Sequence, residues 1–335
     1  MGSGSWSTAG YTATTARKVS TGTTFGYDTY AKRTGSYTAH ESLDPSKAKP
    51  ADGPFAGLVM RESRDSDEHP NSTPIIVGFD STGSMGHIPR TVQKKLTTLF
   101  GLLVEKNYAP DPQVCVSTYG DAWVDRVPLQ VAQFESDNRI DDNLDNMYLE
   151  GGGGGNGGET ASALLYFAAH HTNTDKWEKR GEKGYIFLIA DEIMLDLSKS
   201  QINELIGQNP VGKQEPGDLT VKGIARDVSE KWEVIILMID NSAAKYQSSF
   251  KHYSELFGAT NVLIVENPDT IAETIAAAVG VLEGRDASTV ADDLVSTGAS
   301  REVAVRASNL VTPLKKMGSS KVKLMASTGA SASRF

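Results

Sequence analysis

Thiol chemistry has almost no place in this chain, because Cys115 is the one cysteine among 335 residues. A single cysteine excludes an internal disulfide and any thiolate-rich zinc cluster. It lies in the apolar run Val114-Cys115-Val116, which reads as a buried reduced thiol rather than a nucleophile. Long hydrophobic runs are missing too, and none approaches the roughly 20 residues of a membrane span. The opening Met-Gly-Ser-Gly-Ser-Trp lacks the basic and apolar regions of a signal peptide. Positive charge is in short supply: 33 Lys and Arg stand against 42 Asp and Glu, a formal net charge of -9. The isoelectric point near 5.3 removes the broad attraction to phosphate that nucleic-acid binding needs. The chain has no Gly-x-Ser-x-Gly elbow, no Walker A loop and no His-Glu-x-x-His helix, so the commonest hydrolase and nucleotidase signatures are absent. The expectation is a protein of a reduced compartment, the cytosol or a particle assembled there. It has no membrane span and no nucleic-acid partner, and it is not an enzyme.

What is present begins with a hydrophobic content of 39% and a charged content of 22%, enough for one large α/β domain with additions. The stretch Ile75-Ile76-Val77-Gly78-Phe79-Asp80-Ser81-Thr82-Gly83-Ser84-Met85-Gly86 organises the rest. Ile75 to Phe79 is apolar on both alternations and too short for a helix, which predicts a strand buried on both faces, as in a parallel sheet. Beyond Pro89, the spacing of Val92, Leu96, Leu99 and Leu103 predicts a helix. Asp80 then stands at the carboxyl end of a strand, where open α/β sheets bind ligands. Asp80, Thr82 and Ser84 at alternating positions can turn three hard oxygens into one small volume, which suits Mg²⁺ or Mn²⁺.

Asp80-x-Thr82-x-Ser84 resembles the Asp-x-Ser-x-Ser signature of the von Willebrand factor A (vWA) domain family and its metal-ion-dependent adhesion site (MIDAS). Two further segments extend the resemblance. The Gly-rich run Gly151 to Gly158, followed by Glu159 and Thr160, matches the family's second metal loop, where a threonine just precedes a helix. Thr160 is the natural ligand there, with the adjacent Glu159 as its competitor. Tyr185 to Ala190 is a second apolar strand ending in acid, and Asp191 keeps the third-loop ligand, while Glu192 stands where the family has glycine. The resemblance covers about 73–283. It implies a Rossmann-like vWA fold, with a mostly parallel central sheet and helices on both faces. It also implies a divalent ion, Mg²⁺ or Mn²⁺, held by Asp80, Thr82, Ser84, Glu159 or Thr160, and Asp191. As a dinucleotide loop the glycine run fails, since no strand precedes it.

Elsewhere the readings are plainer. Residues 1–72 are rich in Ser, Thr and Gly and show no helical period. They read as an extended arm, either disordered or ordered on a neighbouring subunit through Trp6, Tyr11, Phe25, Tyr27, Tyr30 and Tyr37. Arg61 to His69 reads as a solvated charged surface segment. Val127, Leu129 and Val131 alternate around Pro128, which predicts an edge strand. Asp141, Asn143 and Asp145 mimic a calcium loop, but Asn146 and Gly152 stand where glycine and glutamate are needed. Ile140, Leu144 and Met147 favour a helix instead. His170-His171 reads as structural. Residues 284–335 read as a short helical extension and a tail. The function implied is a metal-dependent protein–protein interaction module of a multi-subunit assembly, binding an acidic group of a partner. Intracellular prokaryotic and phage-encoded members of the family suggest that partner as a MoxR-type AAA+ ATPase or neighbouring subunits, including copies of this chain. The alternative is a structural component of a virion or other large particle. A hydrolytic metal enzyme, with Glu192 or Glu159 as the available base, ranks third.

Overall fold

A computed structural model of the protein describes residues 6–21, 25–49, 56–152, 157–207, 219–239 and 243–316. Two helices, α1 (Thr8–Thr21) and α2 (Gly26–Thr34), come first, followed by the short strand β1 (Arg61–Ser63). Strand β2 (Thr73–Asp80) is buried along its whole length. A 3₁₀ turn at Gly83–Met85 joins it to α3 (Ile88–Glu105). Next come β3 (Pro112–Tyr119), β4 (Leu129–Val131) and α4 (Arg139–Asp145). The glycine-rich segment leads to β5 (Gly158–Glu159) and α5 (Ala161–His170), then to β6 (Thr172–Thr174) and α6 (Asp175–Arg180). Strand β7 (Gly184–Ala190) is again wholly buried, and β8 (Ile193–Met194) and α7 (Lys199–Ile206) follow it. The remaining units are α8 (Val221–Lys231), β9 (Trp232–Ile239), α9 (Ala243–Phe257), β10 (Val262–Val265) and α10 (Ile271–Leu282). Helices α11 (Ala287–Ser296) and α12 (Arg301–Val311) follow, and a 3₁₀ turn at Thr312–Lys316 closes the described chain.

Six strands form one sheet in the order β10-β9-β7-β2-β3-β4. All neighbours are parallel except β3 and β4, so the single antiparallel strand lies at an edge. Pro74 is tolerated in the central β2 because the β7 pairing begins one residue later, at Ile75 opposite Tyr185. There its missing N–H deprives no ladder. The period-two rule sorts β2 between two cores. Ile75, Val77 and Phe79 join α3, α10 and the C-terminal helices on one face. Ile76 joins α5, α8 and α9 on the other. At Gly78 a Cβ would stand 2.3 Å from Leu164 Cδ2, so this glycine is what lets α5 lie close against the sheet. The fold is the mixed α/β, Rossmann-like architecture expected, with helices flanking a mostly parallel sheet.

Three regions differ from the expectation. The N-terminal stretch is not extended throughout: α1 and α2 are helices, and Tyr11, Phe25 and Leu43 are buried in the main core. Trp6 stacks on Phe100 with centroids 4.6 Å apart, and Lys18 pairs with Asp141 at 2.6 Å and also with Asp145. Only Tyr30 among the named aromatics is largely exposed. Aromatic and β-branched residues lie beside glycines there, so weak helix propensity conceals helices that tertiary packing stabilises. Second, the charged segment from Arg61 is held in place over its first residues, while Asp67 and Glu68 are exposed as expected. The parallel pairing of β1 with β6 buries Glu62 and Ser63, and Arg61 donates to Ser42 O at 2.6 Å and Val131 O at 2.7 Å. Burial opposes the charge on Asp65, but hydrogen bonds from Ser72, Arg180 and Lys179 outweigh it and hold the carboxyl down at about 2. Third, α11 and α12 have a visible purpose. Helix α10 is apolar almost all round and buried from Ile271 to Val281, so it needs a cover on the side away from the sheet. Ala304, Ala307 and Val311 join that core. The tail from residue 317 lies outside the described residues.

Candidate metal centre

The strand order reverses between β2 and β7. From β2 the chain builds outward through β3 to β4, then returns to β7 and builds the other way through β9 to β10. The carboxyl ends of β2 and β7 at such a switch point are the usual ligand position in a doubly wound sheet. Asp80 ends β2 and Asp191 follows the last residue of β7. The loop Gly151-Gly152 closes over the first of these, with Gly83 N donating to Gly152 O at 2.6 Å and Gly151 N to Ser81 O at 3.3 Å. A Cβ on Gly83 would stand 3.2 Å from Gly151 O, so a side chain at Gly83 would crowd the close approach of the two backbones. Residues 153–156 lie outside the described residues.

Asp80 is 1% exposed. Its Oδ1 accepts from Thr82 N at 2.6 Å and its Oδ2 from Thr82 Oγ1 at 2.8 Å. Burial nevertheless pushes the carboxyl up to about 7, with Asp191 and Asp125 adding to the rise against those two hydrogen bonds. Ser84 sits in the 3₁₀ turn, which Gly86 closes at a φ of 42°, a region that glycine enters without strain. Thr160 caps α5 and is fully buried. Its hydroxyl donates to Gly120 O at 2.7 Å and accepts from Ala122 N at 2.9 Å, which leaves one acceptor lone pair. Glu159 pairs through its backbone with β8 and is 6% exposed. Its Oε2 is buried with no hydrogen-bond partner. Burial first, then Asp80, Asp125, Asp121 and Glu192, push this carboxyl up to about 9. Asp191 is buried, and its carbonyl accepts from Ser249 Oγ at 3.1 Å.

Four nearby residues were not anticipated. Asp121 and Asp125 lie on the β3–β4 loop, where Asp121 N donates to Asp125 Oδ2 at 2.6 Å. Burial and its acidic neighbours Glu150 and Asp121 push Asp125 up to about 6. Beneath the carboxylates, the buried phenols of Tyr119 and Tyr253 are both raised, by burial and then by the surrounding acids. One sequence signal pointed here: β3, like β2 and β7, runs into an acid, through Tyr119-Gly120-Asp121.

Among the described residues, no three His, Cys, Asp or Glu side chains gather as a metal cage. A cation at this edge would have to be held by hydroxyls together with carboxylates. The residues fit such an ion. Asp80 and Asp191 bring acid from two strand ends, Thr82 and Thr160 bring hydroxyls, and Glu159 brings a buried oxygen that nothing satisfies. Sulfur and imidazole take no part, and an all-oxygen set of this kind suits Mg²⁺ or Mn²⁺. The calcium-loop mimic is something else: Asp141 and Asp145 lie on α4 and pair with Lys18. His171 is buried, with Nδ1 3.1 Å from Val59 O, and burial pushes it down to about 4, as suits a neutral structural ring.

No protein-family model matches the chain, and no curated protein does. Among solved structures it is weakly similar to the pilus adhesin SpaC from Lactobacillus rhamnosus GG in its open conformation. There the identity is 12% and the TM-score 0.42, over 71% of this chain and 31% of that one. A second is proximal thread matrix protein 1 from the mussel byssus, at 11% identity and TM-score 0.40, over 62% and 48% of the two chains. A third is the conserved hypothetical protein BatB from Bacteroides thetaiotaomicron, at 11% identity and TM-score 0.36, over 61% and 95%. The chain thus spans under a third of the length of SpaC. Likenesses this loose carry no argument about function.

Proposed function

We propose that this chain is a metal-dependent protein-interaction module that binds an acidic group of a partner through a divalent ion, in the manner of a vWA adhesion site. The observation that carries the reading is Glu159 Oε2, buried and unpartnered among Asp80, Asp125, Asp121 and Glu192. Buried like charges raise one another's pKa and destabilise the folded state unless a cation is present. Asp80, Thr82, Ser84, Thr160 and Asp191 would hold the ion, with Glu159 beside or within its coordination. The ion would supply an electrophilic position at which a carboxylate from another protein completes the coordination. This chain's own part is to orient those oxygens, and the Asp80–Thr82 hydrogen bonds and the Gly120–Thr160–Ala122 linkage support that role for Asp80, Thr82 and Thr160. The acid could come from a MoxR-type AAA+ ATPase or from a neighbouring subunit. The alternative, a particle component whose arm makes the subunit contacts, has less support, because Tyr11, Phe25 and Trp6 pack on their own domain.

The test is selection of displayed random peptides on the immobilised protein in millimolar MnCl₂, against the same selection in EDTA. Peptides enriched for Asp or Glu in Mn²⁺ alone, and lost on the Asp191→Asn variant, support the reading. Equal enrichment in both buffers contradicts it.

A further inference from the structure

We propose that the groove between β10 and α12 is the seat of the chain's own segment Lys321–Met325, which lies there extended and closes that edge of the sheet. The inference is independent of the metal centre. Strand β10 ends the sheet: among the described residues it pairs with β9 and with no other strand. Alternate backbone N–H and C=O groups of such a strand point away from its one partner, and proteins seldom leave an edge of this kind bare.

Helix α12 runs beside β10 in the opposite direction. Arg306, midway along the helix, pairs at 3.3 Å with Glu266, the residue just past the strand. The 3₁₀ turn Thr312–Lys316 that follows α12 packs against the 3₁₀ turn Ala259–Asn261 that leads into β10. Between strand and helix lies a groove of about 420 Å³, lined by Ile264 and Glu266 on one side and by Glu302, Val303, Arg306 and Leu310 on the other. Ile264, Val303 and Leu310 are only half-buried, so apolar surface is open there to one more element. The described chain ends at Lys316, at the foot of this groove.

Beyond that point the sequence reads Lys321-Val322-Lys323-Leu324-Met325. Val322 and Leu324 alternate with lysines at the period of a strand that is apolar on one face. The lead Met317–Ser320 spans up to about 14 Å when extended, comparable to the length of β10, so the segment can enter at the foot and run parallel to β10. Charge selects the same occupant. Glu302 is the last acidic residue of the chain, and Arg306, Lys315, Lys316, Lys321, Lys323 and Arg334 follow it in a protein of net charge -9. At the groove, Glu266 and Glu302 share the single cation Arg306, which leaves acid in excess for the lysines to meet. Those glutamates are exposed, and exposed ion pairs contribute little. Burial of Val322 and Leu324 against Val303 and Leu310 supplies most of the attraction. A short tether also raises the effective concentration of the chain's own segment over that of any other protein.

Hydrogen exchange of the full-length protein, read by mass spectrometry at two protein concentrations, provides the test. The wild type is compared with the double variant Val322→Asp, Leu324→Asp, which leaves every described residue as it is. Amides of Lys321–Met325 should exchange on the order of tenfold more slowly than those of Ser327–Phe335, equally at both concentrations. The double variant should lose that protection and expose the amides of Ile264 and Glu266 with it. Exchange of Lys321–Met325 as fast as that of Ser327–Phe335 overturns the proposal. So does protection that the double variant keeps, or that it loses without any change at Ile264 and Glu266, because the segment then packs elsewhere. Protection that fades on dilution assigns the groove to a second copy of the chain and overturns the intramolecular seat.

Discussion

Asp80 is buried, accepts two hydrogen bonds from Thr82, and is still pushed up to about 7. Glu159 reaches about 9. Both lie above their ordinary values of 3.8 and 4.5, so the folded, metal-free protein keeps protons that the unfolded chain releases. The stability that this provides is complete below the ordinary carboxylate range and is lost as pH rises through 7 and then 9. In EDTA, melting temperature should therefore fall from about pH 5 to about pH 9, and the fall should be shallower in Asp80→Asn and Glu159→Gln. Manganese should act in the opposite sense, stabilising more at pH 8 than at pH 5, because protons compete for the same oxygens. A slope in EDTA that neither variant changes would show that these carboxyls do not titrate together with folding. Asp80→Asn should also raise the metal-free melting temperature at pH 8 by about 2–4 °C for each kcal/mol of relieved repulsion, while abolishing the response to Mn²⁺. At this scale the sequence was partly legible. Asp80 and Asp191 could be found because each terminates an apolar run, and that juxtaposition is local. Asp121 and Asp125 also follow a strand, yet their relation to Glu159 depends on how β3 lies beside β2. Glu159 and Thr160 both face this region, so the choice between them was never one that neighbouring residues could make.

The loops that carry the site are positioned by backbone pairing, and the short β5–β8 pair matters most. Glycine is needed at 158: a Cβ there would meet Ile193 O at 2.9 Å and Leu195 Cδ2 at 2.8 Å. The carbonyl cannot move without breaking the pairing that fixes Glu159 and Thr160. Gly158→Ala should therefore cost about 1–3 kcal/mol and weaken the Mn²⁺ response out of proportion. Denaturant titration with and without metal separates the two effects. An equal loss in both would mean that β5 supports the fold but not the site. The major elements were readable because β2, β7 and β9 are unbroken apolar runs and α10 an unbroken apolar helix. The two-residue strands β5 and β8 were not, since periodicity has no meaning over two residues and only the pairing partner defines them. The same holds for β1 and β6, whose sequences Arg-Glu-Ser and Thr-Asn-Thr look like surface until each is seen beside the other.

Taken as a whole, the molecule is a doubly wound sheet on which α1 and the C-terminal helices both close the same core, while Ala31 of α2 packs in a smaller cluster with Val127 and Tyr148. Residues 1–72 read as separable in sequence because aliphatic residues are few, but Tyr11, Phe25 and Leu43 are buried in the main cluster. Tyr11→Ala should accordingly cost about 3–5 kcal/mol, as large-to-small aromatic changes in cores do, and removal of residues 1–72 should lower the melting temperature of the remainder cooperatively. If that truncated chain melts as the full chain does, the first helices only rest on the domain. The switch point between β2 and β7 is where a doubly wound sheet usually binds its ligand, and the claim that matters is that a divalent ion belongs there. Metal binding to the folded state alone must raise stability by mass action, about 2.7 kcal/mol at a concentration 100 times the dissociation constant. Location tests this more directly than stability does. Anomalous scattering from a crystal of the protein soaked in millimolar MnCl₂ should show one peak at the carboxyl ends of β2 and β7, within coordination distance of oxygens from Asp80, Ser84 and Asp191. Ordered loops with no peak there, or a peak only elsewhere on the surface, would contradict the account.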